Sequence, residues 1–227
     1  MNAASPAART ASPARRTHEA AASLGDLRFR VLLSNADWES LPPAIRQRFS
    51  KRLAGGNTCV YVGKVVETRM SAPGFLLAQL ARLAGGPLPI SRTAGLESVV
   101  TVTEDLATGG QVWTRLYARR KGFPQIIHSS KRFAGPTGLE EYLGFGLAMA
   151  LTIHAEGGAL VFRSAGYSLR IGRLRLALPR FLSPGALTVR HAELGDGRFA
   201  FTLALVHPHF GELIGQKAVF ADASRRE

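Results

Sequence analysis

One cysteine in 227 residues leaves no partner for an internal disulfide and excludes multi-cysteine zinc and iron–sulfur sites. Cys59 stands between Thr58 and Val60-Tyr61 at the start of a β-branched run, and reads as a small buried hydrophobe rather than a nucleophile. No uninterrupted apolar run approaches the roughly 20 residues of a membrane span. The N-terminus has no hydrophobic signal core, so the expected compartment is the cytoplasm. Phosphate-loop and dinucleotide signatures are missing. Gly144-Phe145-Gly146 lacks a third glycine and a βα context, and no G-x-S-x-G elbow is present. No cofactor is expected. Acidic residues are scarce: 16 Asp and Glu face 29 Lys and Arg, for a formal charge of +13. Such a charge suits polyanions. The arginines, however, are scattered, and aromatics are not interleaved with them as on a nucleic-acid-binding sheet, so nucleic acid is not an expected partner. They read as a solvated surface or as a peripheral contact with an anionic membrane.

What is present is mostly β pattern. Residues 1–26 are Ala, Ser, Pro and Arg with little apolar bulk, a disordered tail by composition. Residues 27–227 form one β-rich domain. A first helix is predicted from Asp37 or Ser40 to about Ala54, with Pro42 and Pro43 in its first turn. A second, strongly apolar helix covers Pro73–Leu83 and ends at Gly85-Gly86-Pro87. Strand patterns cover 58–69, 97–104, 110–118, 123–133, 145–155, 159–171, 173–179, 186–194, 198–206 and 213–221. Turn chemistry such as Thr108-Gly109-Gly110 and Gly195-Asp196-Gly197 separates them. Many short strands in a row avoid exposed edges by curling. The expected fold is mainly β (α+β): a curved antiparallel sheet or β-barrel of about eight to ten strands with two N-terminal helices. Phe75, Leu76, Leu80 and Leu83 of the second helix are the residues expected to plug or cap the barrel. Along 167–180 arginine and leucine alternate, and the phase slips at Gly172-Arg173, as a hairpin or bulge would make it do. Leucines inward and arginines in water is the expected arrangement.

Candidate chemistry follows from strand parity. Trp113, Arg115 and Tyr117 share one face of their strand, where stacking and charge could hold a carboxylate or a flat ring. His128 and Glu141 are candidate assistants. Glu140-Glu141 falls between two predicted strands, where an exposed turn pair is the ordinary expectation. His207-Pro208-His209 places two imidazoles at i and i+2, but the proline and the lack of a third ligand argue against a metal. Bulky faces at Leu147, Met149, Leu151 and at Phe199, Phe201, Leu203, Leu205 would line an interior that is either filled or open to an apolar ligand.

A series of short motifs in order resembles the bacterial family known as domain of unknown function 4166. The motifs are Trp38-Glu39-Ser40-Leu41-Pro42-Pro43, Trp113-Thr114-Arg115, His128-Ser129, Gly138-Leu139-Glu140-Glu141, Gly157-Gly158, Leu178-Pro179, and His207-Pro208 through Gly211-Glu212-Leu213. The resemblance spans roughly residues 37–222. It implies an accessory module that works beside a separately encoded oxidoreductase, and it carries over no catalytic residues. The sequence supports three functions. The first is a β-barrel-like module binding an apolar or amphipathic small molecule. The second is an isomerase- or cyclase-type enzyme acting on such a ligand. The third is a peripheral interaction protein using a basic face.

Overall fold

The structure is a computed structural model that describes residues 25–223. Residues 1–24, most of the expected tail, lie outside the described residues. Asp26 already belongs to the folded unit: its carboxylate pairs with Arg28 at 2.7 Å and its N–H donates to the Ser50 carbonyl.

The strands are β1 (Cys59–Met70), β2 (Glu97–Asp105), β3 (Gly110–Tyr117), β4 (Gln125–Arg132), β5 (Glu140–Gly144) and β6 (Leu147–Glu156). They continue with β7 (Ala159–Ile171), β8 (Leu174–Ala177), β9 (Ala186–Gly195), β10 (Arg198–His207) and β11 (Gly211–Asp222). The sheet order is β6-β5-β4-β3-β2-β1-β11-β10-β9-β7-β8, and β6 also pairs with β7. Ten strands therefore close into an antiparallel barrel, and β8 extends from β7 as a hairpin arm. Closure leaves no unpaired barrel edge.

The two ends of the barrel differ. Strands β1, β3, β5, β7 and β10 all run towards one end, the mouth. The mouth carries the β1–β2 connection, the loop 118–124, the β5–β6 turn, the segment 172–185 and the β10–β11 turn. The opposite end, the base, is sealed by the N-terminal segment. There Ser34 caps α1 (Asn35–Ser40) by accepting from the Asp37 N–H, and Leu41-Pro42 breaks the helix before α2 (Pro43–Phe49). The single long helix expected here is thus two short ones. Leu41, Ile45 and Phe49 share one face at i, i+4, i+8 and enter the core with Phe29, Leu139, Leu160 and Phe162.

The β1–β2 connection holds α3 (Ala72–Ala81), capped by Ser71. It lies on β11 so closely that a Cβ at Gly74 would stand 2.0 Å from the Leu213 carbonyl oxygen. Gly74 and Ala78 are buried, while Phe75, Leu76, Leu80 and Leu83 are exposed, the reverse of the expected plug. The helix is apolar all round, so periodicity could not choose its inner face; close approach to β11 selects the small residues. The 167–180 segment differs from expectation too. Gly172-Arg173 is indeed the turn of the β7–β8 hairpin, but Ile171, Leu174 and Leu176 are more than half exposed because the arm projects beyond the barrel wall.

Candidate functional site

The inner face of β2–β6 is set by register. Trp113 of β3 stands opposite Val102 and Ser129, Arg115 opposite Val100 and Ile127, and Tyr117 opposite Ser98 and Gln125. On the next pair Lys131 of β4 stands directly opposite Glu141 of β5. Alternation then sends Trp113, Arg115, Tyr117, Ile127, Lys131, Glu141 and Met149 into one cavity of about 310 Å³. That volume falls within the range of small-molecule sites, about 300–1,000 Å³. The remaining walls are mostly apolar, among them Phe162 and Tyr167 of β7, Phe201, Leu203 and Leu205 of β10, and Phe220 of β11, with Gln216 of β11 as a neutral polar exception.

Arg115, Lys131 and Glu141 are the charged residues on this lining. The Glu141 carboxylate accepts from Arg115 Nη2 at 3.2 Å, from the Ser129 hydroxyl at 2.6 Å and from Lys131 Nζ at 3.2 Å. Arg115 Nη1 also donates to Ser129 Oγ at 2.9 Å. Lys131 Nζ lies 4.7 Å from the Trp113 ring centre. Burial alone would raise the Glu141 carboxyl, but Lys131, Arg115 and the hydroxyl bond outweigh it and bring the group down to about 2. Lys131 also falls below its usual ammonium value: burial lowers it, Glu141 partly opposes this, and the neighbouring Arg115 charge adds to the fall. Burial raises the Tyr117 phenol, and pushes Tyr167 up to about 12 while its hydroxyl donates to the Gly185 carbonyl. The cluster thus sets two cationic side chains against one carboxylate inside an apolar chamber.

Of the residues singled out in the sequence, Trp113, Arg115, Tyr117 and Glu141 meet here. His128 does not. Its even parity places it on the outer face of β4, exposed and 3.1 Å from Thr114 Oγ1. Glu140 and Glu141 are not an exposed turn pair. Both are buried in β5, where Glu140 faces outward to Arg175 at 2.7 Å. Lys131 and Ser129 escaped sequence reasoning as site residues. The available signal was a lysine in phase with Ile127 and Ser129 on the same strand face. Around His207 the turn is tied by the His209 N–H donating to His207 Nδ1. Among the described residues no group of three or more His, Cys, Asp and Glu side chains is placed to hold a metal. No described helix is long and apolar enough to cross a membrane.

The model of one family, described as Domain of unknown function (DUF4166), matches residues 41–220. The chain belongs to the DUF4166 family. The match runs from the buried Leu41 of the base to Phe220 of β11, so it takes in all of the barrel but the last two residues of β11, and every residue of the charge cluster. No curated protein matches the chain.

Proposed function

We propose that this DUF4166 barrel binds an amphipathic small molecule, with its apolar body in the cavity and an anionic group, a carboxylate in class, at Lys131 and Arg115. The observation that carries this reading is the imbalance of the cluster: two cations share one carboxylate where the walls, among the described residues, offer nothing else charged. Burying an uncompensated charge is costly, and a ligand anion would offset that cost. Arg115 and Lys131 supply charge-assisted donors of the kind that orient a carboxylate. Trp113 and Tyr117 flank them and would pack on the first atoms of the apolar chain.

The same geometry weighs against Glu141 as a proton-transfer group. A carboxyl held near 2 stays ionised at neutral pH and is a weak base, whereas acid–base catalysis works best with a group poised near the operating pH. Binding is therefore preferred to an isomerase or cyclase chemistry resting on this carboxylate.

The test uses the fluorescent apolar anion 8-anilinonaphthalene-1-sulfonate, read by energy transfer from tryptophan and displaced by dodecanoate or dodecanol. These compete with equal tails and differ in the head. Dodecanoate is expected to displace the probe roughly 10- to 150-fold more effectively, the worth of a hydrogen bond to a charged group. Equal displacement by acid and alcohol contradicts the reading.

A further inference from the structure

The mouth of the barrel has its own chemistry, apart from the cavity beneath it. Every mouth element exposes large apolar side chains. Leu76, Leu80 and Leu83 stand on α3 and the turn after it, Phe123 on the 118–124 loop, and Phe145 on the β5–β6 turn. Ile171, Leu174 and Leu176 line the hairpin arm, Phe181 and Leu182 follow it, and Phe210 tips the β10–β11 turn. Leu83 and Phe181 are each more than four-fifths exposed. Scattered single leucines on a surface need no explanation, but a set gathered at one end of a molecule does.

Cations accompany them. Arg119, Arg120 and Lys121 follow β3, Arg170 and Arg173 lie on the hairpin, and Arg180 precedes Phe181. All six are exposed, and none forms an ion pair among the described residues. Arg92 stacks on Phe75, with its guanidinium carbon 4.5 Å from the ring centre. Acidic groups near this end are few and matched: Glu67 with Lys217, Glu97 with Lys64, and Glu212 with Arg69. The base holds more acids: Asp26, Asp37, Glu39, Glu104, Asp105 and Asp196 lie there, with Asp26, Asp105 and Asp196 paired to Arg28, Arg132 and Arg198, so the net positive charge of the described residues is greater at the mouth. The cavity also opens at the mouth, since Leu182 both lines it and is exposed.

We infer that the mouth docks on an anionic lipid bilayer, with the apolar tips entering the acyl boundary and the unpaired arginines meeting lipid phosphates. Charge complementarity selects this occupant. Nucleic acid would leave the protruding Leu and Phe side chains in water, and a second copy would bring two cationic rims together. The inference does not rest on the ligand assignment. It places the cavity opening against a membrane, where an amphiphile could pass between bilayer and barrel without crossing water.

The test is sedimentation of the full chain with phosphatidylcholine vesicles and with vesicles of phosphatidylcholine and phosphatidylglycerol. Binding is expected to the anionic vesicles only, and to weaken steeply with added salt. Each basic residue near such a surface is worth roughly fivefold, so the double variant Arg120→Gln, Arg173→Gln should bind roughly 25-fold more weakly. The matched change at the base, Arg52→Gln with Arg198→Gln, should leave binding unchanged. Leu83→Ser with Phe181→Ser, both at exposed positions that leave the core intact, should weaken it at least ~10-fold. Equal binding to neutral vesicles or no binding at low salt overturns the inference. So does a solution dimer that the Leu83→Ser, Phe181→Ser variant dissociates. Lys131→Met should bind vesicles as the wild type does, which separates this result from failure of the ligand assignment.

Discussion

Glu141 and His191 are two buried titratable groups whose environments push them in different pH windows. Glu141 sits between Lys131 and Arg115, with its carboxyl brought to about 2 from an ordinary 4.5. A depressed carboxyl stabilises the fold above its unfolded value, and that contribution fades as pH falls from about 4.5 towards 2. His191, fully buried beneath α2, accepts from Arg48 at 2.8 Å through Nε2 and is ringed by Phe49, Phe199 and Phe201. Burial, aided by the Arg48 charge, holds it well below 6.5, so the folded state keeps it neutral while the unfolded chain protonates it. Its contribution is complete above about 6.5 and declines as pH drops below that value. Thermal unfolding followed from pH 8 to 2 should therefore weaken in two steps, each with a slope of at most about 1.4 kcal/mol per pH unit. His191→Leu should remove the first step and leave the second; a profile unchanged by this substitution contradicts the assignment. Glu141→Gln strands the buried Lys131 beside the half-buried Arg115 and should cost about 3–5 kcal/mol at neutral pH.

Helix α3 shows how a single small residue sets an element. Gly74 lets the helix backbone meet the Leu213 carbonyl directly, and Ser71 ties its start by accepting from the Gly74 N–H at 3.2 Å. Gly74→Ala should lift the helix from β11 at a cost of roughly 1–3 kcal/mol, the usual range for overpacking. Calorimetry would register the loss, and an unchanged melting temperature would contradict the close packing. The strands were legible in the sequence because alternation and glycine turns agree. The pattern over 97–104 became β2, and that over 198–206 became β10, each within a residue. What stayed hidden has physical reasons. β5 is five residues long and begins with two glutamates, so it carries no apolar alternation to see. The inner face of α3 was illegible because almost every position of that helix is apolar. Trp113, Arg115 and Tyr117 could be put on one face from spacing alone. That Lys131 stands opposite Glu141, and His128 outside both, depends on inter-strand register, which no local pattern contains.

At the scale of the whole molecule, the barrel separates three jobs along its axis. The base carries the helical seal and much of the acidic charge. The middle holds the cavity with its buried Arg115–Glu141–Lys131 cluster. The mouth presents apolar tips and unpaired arginines. The positive charge of the described residues is therefore not an even coat but is weighted to the mouth. This division explains why the Arg/Leu alternation of 167–180 is informative: it builds part of the mouth, whereas the cation that matters inside the barrel is Lys131 of β4. Ligand binding in the cavity turns on Lys131 as the proposed receptor of a ligand anion. Calorimetric titration of dodecanoate into the wild type and Lys131→Met tests it most directly. The wild type is expected to bind roughly 10- to 150-fold more tightly. That advantage should shrink as rising pH discharges the burial-weakened ammonium, because anion binding favours its protonated form. Equal affinities for the two proteins, or a wild-type affinity that rises with pH, would contradict it.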